Sequence, residues 1–195
     1  MALDKSYEAI MARKNEIINK AMQMDYEQFE APGIGFDYEA MMHKSGYSME
    51  EMQEIQLAHG VGNTPMIELK NMTELARKFA PEGKGARIVV KDEAANASGS
   101  FKARRASIAV HHAKKLGYKG VIAATSGNYG AAVASQAAMH GLNCIVVQEC
   151  YDGRKVGQPE ILEKQRICEA YGAEVVQLSV GPELFSTHLS LLEDT

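Results

Sequence analysis

The first sixty residues carry apolar side chains at helical spacing. Across residues 7–24 they fall at Ile10, Met11, Ile17, Ile18 and Met22, a single stripe along an amphipathic helix. The run Ala31-Pro-Gly-Ile-Gly35 ends that pattern, because proline and glycine interrupt helical hydrogen bonding. Two shorter helices are expected over residues 38–42 and 48–57, the second opened by Ser48 and Glu51 in a capping box. Residues 1–60 therefore read as a helical extension that packs on something else and holds no recognisable chemistry.

A turn at Gly60-Val-Gly-Asn-Thr-Pro65 and a short strand over residues 66–69 follow. From Arg87 the pattern changes to short apolar runs, at residues 87–91, 121–124, 144–148 and 174–178. Helical stretches lie between them, near 101–116, 129–140 and 159–171, each ending at a glycine suited to a C-cap: Gly117, Gly141 and Gly172. A last helix is expected over residues 182–192. Near-continuous apolar strands alternating with helices specify an α/β fold, a parallel open sheet with helices on both faces.

Composition narrows the function. At 195 residues, 46% hydrophobic and 24% charged, the chain suits a globular protein with one core and a small second module. A net charge of −4 gives no electrostatic case for nucleic acid or an anionic membrane. No apolar run nears the roughly 20 residues that span a bilayer. The N-terminus, Met1-Ala-Leu-Asp-Lys-Ser, lacks a signal-peptide layout, so a cytoplasmic protein is expected. The three cysteines, Cys144, Cys150 and Cys168, form no CxxC pair and read as reduced structural thiols.

Two corners carry chemistry. The first is Ser98-Gly-Ser-Phe-Lys102-Ala-Arg-Arg105, where a lysine stands at a helix start against the positive end of the dipole. Arg104 and Arg105 crowd it, and such crowding lowers an amine pKa, as a Schiff-base nucleophile needs. On residues alone, a surface lysine at a helix start stays the commoner reading. The second corner is Thr125-Ser-Gly-Asn-Tyr-Gly130, where Ser126 or Asn128 would cap the next helix and the free amides would attract an anion. It lacks the GKS or GKT of a Walker loop.

Together the two corners resemble fold type II pyridoxal-phosphate (PLP) enzymes, the group of threonine synthase, serine dehydratase and cysteine synthase. Gly62-Asn-Thr-Pro65, Lys91-Asp-Glu93 leading to Asn96, and Ala170-Tyr-Gly-Ala-Glu-Val175 extend the resemblance over residues 60–178. It implies PLP as cofactor, carried by Lys102 beside Phe101. Asn128 would bond the ring hydroxyl, and Thr125, Ser126, Gly127, Asn128 and Tyr129 would gather the substrate carboxylate. Residues 61–96 would belong to a larger cofactor domain and 97–195 to the smaller α/β domain. Family members are longer and hold a glycine-rich phosphate cup and a ring-nitrogen partner beyond these residues. The chain therefore reads as truncated, and inactive alone.

This chain departs from the family at Ala97, usually proline, and at Ala103, usually aspartate. The acidic, Met-rich extension and the run of residues 91–105 are most similar to a thiolase branch of the group, which cleaves an amino-oxo acid with coenzyme A. That branch implies an amino acid substrate, coenzyme A and a second, smaller subunit or homo-oligomer as partners. The alternatives are a threonine-synthase-like or serine/threonine dehydratase lyase and, from another class, a truncated non-catalytic subunit.

Other motifs offer less. No metal is expected: His111-His112 reads as a solvated helix face, since adjacent positions do not face one site. Gly33-Ile-Gly35 follows no strand, so it is no dinucleotide fingerprint. Met41, Met42, Met49 and Met52 read as core filler, or as a Met-rich surface that adapts to a partner.

Overall fold

The computed structural model describes residues 3–33, 35–125, 127–151, 156–179 and 183–194. Three parallel strands, β3 (Gly120–Ala124), β4 (Asn143–Glu149) and β5 (Glu174–Leu178), form the central sheet in that order. Val121 pairs with Cys144, and Val146 with Val175. Helices α7 (Asn128–His140) and α8 (Pro159–Ala170) make the crossovers, and α6 (Lys102–Lys115) packs beside α7. The Ala-rich α7 is buried from Gly130 to Ala137. Its small side chains let α6 and the sheet approach closely, so Ala106, Val110, Ala134, Val146 and Cys168 close into one core.

The other face of the sheet is covered by α9 (Leu184–Glu193), which contacts β3 and β4. On it sit α1 (Tyr7–Ala12) and α2 (Lys14–Met22), whose Ile10 and Ile17 bury against Leu189. Arg13 and Lys5 each reach Glu193 at 2.8 Å. The extension thus packs on the last helix. The expected single helix over 7–24 breaks at Arg13 (φ −100°, ψ 8°). There the guanidinium turns back to the carbonyls of Ala9 and Asp4. The bend lets both short helices present an isoleucine to Leu189.

Helices α3 (Tyr38–Ser45) and α4 (Met49–Ala58) complete the extension. The Ser48–Glu51 capping box opens α4, with both reciprocal bonds present. The methionines expected as core filler line an open groove instead. Met22, Met24, Met41, Met42 and Met52 surround a cavity of about 540 Å³ against Ile108 of α6, and Met49 is exposed. His111 and His112 are also not a solvated face. Both are half-buried against Tyr47, and Tyr47 Oη lies 3.1 Å from His112 Nδ1.

One strand assignment needs correction. The apolar run at 87–91 does not join the parallel sheet. Its core, β2 (Val89–Lys91), pairs antiparallel with β1 (Met66–Glu68), and all six residues are exposed. An apolar run fixes a strand but not its partner. Between them lies a helix the pattern reading did not assign, α5 (Lys70–Phe79), with Met72, Leu75 and Phe79 exposed along one side.

Candidate active site

The glycine turn follows the carboxyl end of β3, where open α/β sheets place ligands, and the lysine corner lies in the loop before α6. Lys102 is the first residue of α6, half-buried, with Nζ 4.7 Å from the centre of the exposed Phe101 ring. The loop before it turns at Gly99, whose φ of +73° lies in the left-handed region open to glycine. Within this loop the hydroxyls of Ser98 and Ser100 are buried and have no hydrogen-bond partner among the described residues. Buried polar atoms are normally satisfied, so two orphaned hydroxyls beside a lysine suit a bound polar group.

At the second corner, Thr125 extends the β3 pairing by donating its N–H to the Val147 carbonyl at 2.9 Å, and Thr125 Oγ1 accepts from Gly127 N at 3.1 Å. Ser126 lies outside the described residues. Gly127 is the N-cap of α7, and no side chain caps it among the described residues. The expected capping by Asn128 is therefore absent: Asn128 is the first helical residue, and it is exposed. A helix start with uncapped amides keeps its donors for an anion. Gly130 is the third residue of α7, where an added Cβ would come within 2.6 Å of Thr125 Cγ2 and 2.8 Å of Val146 Cγ1. Only glycine lets α7 start this close to the sheet.

The two corners meet through Arg105 and Tyr129. The Arg105 guanidinium lies over the Tyr129 ring at 4.8 Å. Burial pushes the Tyr129 phenol up, and Arg105 opposes that shift. Tyr171, within the Ala170–Val175 run, adds a tie by donating to the Ala97 carbonyl at 3.2 Å.

Sequence reasoning missed how the Gly62–Pro65 turn and the Lys91–Asn96 lead-in converge on the residues after Lys102. Arg104 forms a forked pair with Glu93, Nε to Oε2 at 2.7 Å and Nη2 to Oε1 at 2.9 Å. Thr64 Oγ1 donates to Glu93 Oε1 at 2.8 Å. Asn96 Nδ2 donates to Glu93 Oε2 at 3.0 Å, while Asn96 Oδ1 accepts from Gly62 N at 2.9 Å. The Gly62–Pro65 turn, the Lys91–Asn96 lead-in and the residues after Lys102 are thus one network. Arg104 is spent on Glu93, which weakens the expected crowding of cations around Lys102. The available signal was an acid with asparagine three residues on and arginine eleven residues on.

Elsewhere, Cys144, Cys150 and Cys168 are free and buried. Burial pushes the Cys144 thiol up to about 12 and Cys168 to about 11, so neither ionises as a nucleophile near neutrality. No group of three or more metal-ligating side chains occurs among the described residues. None of their helices is long and apolar enough to cross a membrane.

A parallel sheet with a lysine at one helix start and a glycine turn at the next fits one class of protein, and similarity shows which. The pyridoxal-phosphate dependent enzyme family matches residues 57–191, and the chain belongs to it, with pyridoxal 5′-phosphate as cofactor. The chain is 69% identical over all 195 residues to the 2-amino-4-ketopentanoate thiolase beta subunit of Acetoanaerobium sticklandii, spanning 42% of that protein's length. It is 39% identical over 123 residues to a threonine synthase of Halalkalibacterium halodurans, covering 63% of this chain and 30% of that protein. Among solved structures, O-ureido-L-serine synthase matches with a TM-score of 0.52 and 25% identity, over 69% of this chain and 40% of its own.

Proposed function

We propose that this chain is the cofactor-lysine part of a PLP-dependent thiolase subunit that cleaves 2-amino-4-oxopentanoate with coenzyme A to acetyl-CoA and alanine, a step of ornithine degradation. The observation that carries this reading is the 69% identity over the whole chain. The family match begins at residue 57, so the extension on α9 and along α6 is shared beyond what the family requires. The threonine-synthase-like lyase draws support from the second relative, but its similarity covers 63% of the chain.

PLP supplies an electron sink for bonds broken around the substrate's α-carbon. Toward that chemistry the residues divide the work. Lys102 is the covalent anchor and the base that moves the α-proton. Ser98 and Ser100 offer hydroxyl donors to the bound groups, and Phe101 borders the amine. Thr125, Ser126, Gly127, Asn128 and Tyr129 hold the substrate carboxylate at the start of α7, with Asn128 also bonding the ring hydroxyl. The coenzyme A sulfur then bonds to the ketone carbon and the adjoining carbon–carbon bond breaks. The acetyl group leaves on sulfur, the freed carbon takes the proton of the thiol, and Lys102 returns the α-proton to complete alanine.

Since the chain spans 42% of the relative's length, the phosphate cup, the ring-nitrogen partner and the coenzyme A site are proposed to lie outside these residues. The 195 residues alone are then expected to be inactive. Residues 1–60 form the extension, 61–96 belong to the larger cofactor domain, and 97–195 form the smaller domain. The exposed β1 and β2 and the open apolar side of α5 support that division. The relative is named as a beta subunit, which supports a second subunit as partner; that this partner is the smaller one and the enzyme cytoplasmic is part of the same proposal. The test is to supply the full-length protein and that partner with 2-amino-4-oxopentanoate and coenzyme A. Acetyl-CoA and alanine are expected in equal amounts. Ammonia release from serine or threonine without thiolysis would move the assignment to the lyases.

A further inference from the structure

The loop that delivers Lys102 is held at both ends by one carboxylate. It enters at Asn96 and leaves at Arg104, the third residue of α6. Both residues bind Glu93: Asn96 Nδ2 at 3.0 Å to Oε2, and Arg104 through its fork at 2.7 and 2.9 Å. Asn96 also donates to the Glu93 carbonyl at 2.8 Å, and it is buried. Thr64 Oγ1 closes the group, donating to Glu93 at 2.8 Å and lying 3.3 Å from Arg104 Nη2. From the extension, Gln56 Nε2 donates to the Arg104 carbonyl at 3.0 Å. Residues 97–103 are therefore a short span closed through a single side chain.

We infer that Glu93 is a positioning residue for the cofactor lysine, fixing where Lys102 stands by gripping Asn96 and Arg104 on either side of it. This rests on Lys102 being the anchor, as proposed above. The grip holds through the working pH range. The hydrogen bonds from Arg104, then that from Thr64, hold the Glu93 carboxyl down at about 2, so it is ionised throughout. The Arg104 fork matches the carboxylate in two parallel bonds, which fix direction as well as distance. Glu93 makes no contact with the amine itself among the described residues. Its effect is on geometry, and a misplaced amine bonds its cofactor less tightly and titrates differently once bound.

The experiment uses full-length protein loaded with PLP. Glu93→Gln keeps shape but removes the charge, and Thr64→Val removes one bond at a gentler cost to folding. Borohydride fixation with peptide mapping reports which lysine holds the cofactor. A pH titration of the visible absorbance reports the state of the covalent link, equilibrium dialysis the affinity, and thermal denaturation the fold. With hydrogen bonds to a charged group at stake, Glu93→Gln should weaken cofactor binding about ten- to hundredfold and shift the spectral pH midpoint. Thr64→Val should do so several-fold less, and Arg104→Lys should retain part of the wild-type behaviour. Wild-type midpoint and affinity in Glu93→Gln, or in Thr64→Val should the first variant not fold, would overturn the positioning role. Cofactor found on another lysine of the wild-type protein would instead overturn the reading of Lys102.

Discussion

The guanidinium of Arg105 lies over the ring of Tyr129 at 4.8 Å. Arg105 is three residues beyond Lys102 on α6, and Tyr129 is next to Asn128 on α7, so this contact couples the lysine corner to the glycine turn. A cation on an aromatic face contributes about 0.5–2 kcal/mol, according to how far it is desolvated.

Arg105→Met, which keeps length without charge, should lower stability by about 1 kcal/mol. It should also raise KM for the amino acid substrate more than it lowers kcat. Tyr129→Phe keeps the ring and should retain most of this stability. Denaturant titration and steady-state kinetics check this, and a Tyr129→Phe defect as large as that of Arg105→Met would contradict it.

Gly130 sets how closely α7 meets the sheet. An alanine Cβ would meet Thr125 Cγ2 at 2.6 Å and Val146 Cγ1 at 2.8 Å, both far inside ordinary contact. Gly130→Ala should cost about 1–3 kcal/mol through overpacking, despite alanine's better helix propensity. It should also displace Thr125, and with it the turn at Gly127. A stabilised variant in a denaturant titration would contradict this packing account.

How much of this was legible beforehand differs by element. The strands at 121–124, 144–148 and 174–178, the helices between them and the capping box at Ser48 followed from local patterning alone. The pairing of Val89–Lys91 with Met66–Glu68 did not, because an apolar run of three to five residues carries no information about its partner strand. Helix α5 was visible in principle through Met72, Leu75 and Phe79, spaced for one helix side. The site divides in the same way. Lys102 and the glycine turn are local motifs and could be read. The convergence of Thr64, Glu93, Asn96 and Arg104, and the Arg105–Tyr129 contact, join positions distant in sequence and depend on tertiary packing.

The histidine cluster gives a pH prediction. His140 stacks on His59 with ring centres 4.1 Å apart, His111 lies edge-on at 5.7 Å, and Lys114 Nζ bonds the His140 carbonyl at 2.6 Å. Burial first, then His59, His111 and Lys114, pushes the His140 imidazole down from 6.5 to about 4. The folded state therefore binds this proton later than the unfolded chain. Its contribution to stability is present above about pH 6.5 and is lost as pH falls toward 4. His140→Phe keeps the stacking and should reduce the slope of stability against pH in that window by up to about 1.4 kcal/mol per pH unit. Urea midpoints measured from pH 4 to 7 check it, and an unchanged slope would contradict it.

The central claim is that Lys102 is the residue that holds the cofactor, and borohydride fixation of PLP in the full-length protein followed by peptide mapping tests it most directly. The account predicts label on the peptide containing Lys102, and loss of covalent cofactor in Lys102→Ala while the circular dichroism of the fold is kept. Label on another lysine, or covalent cofactor retained in Lys102→Ala, would contradict it.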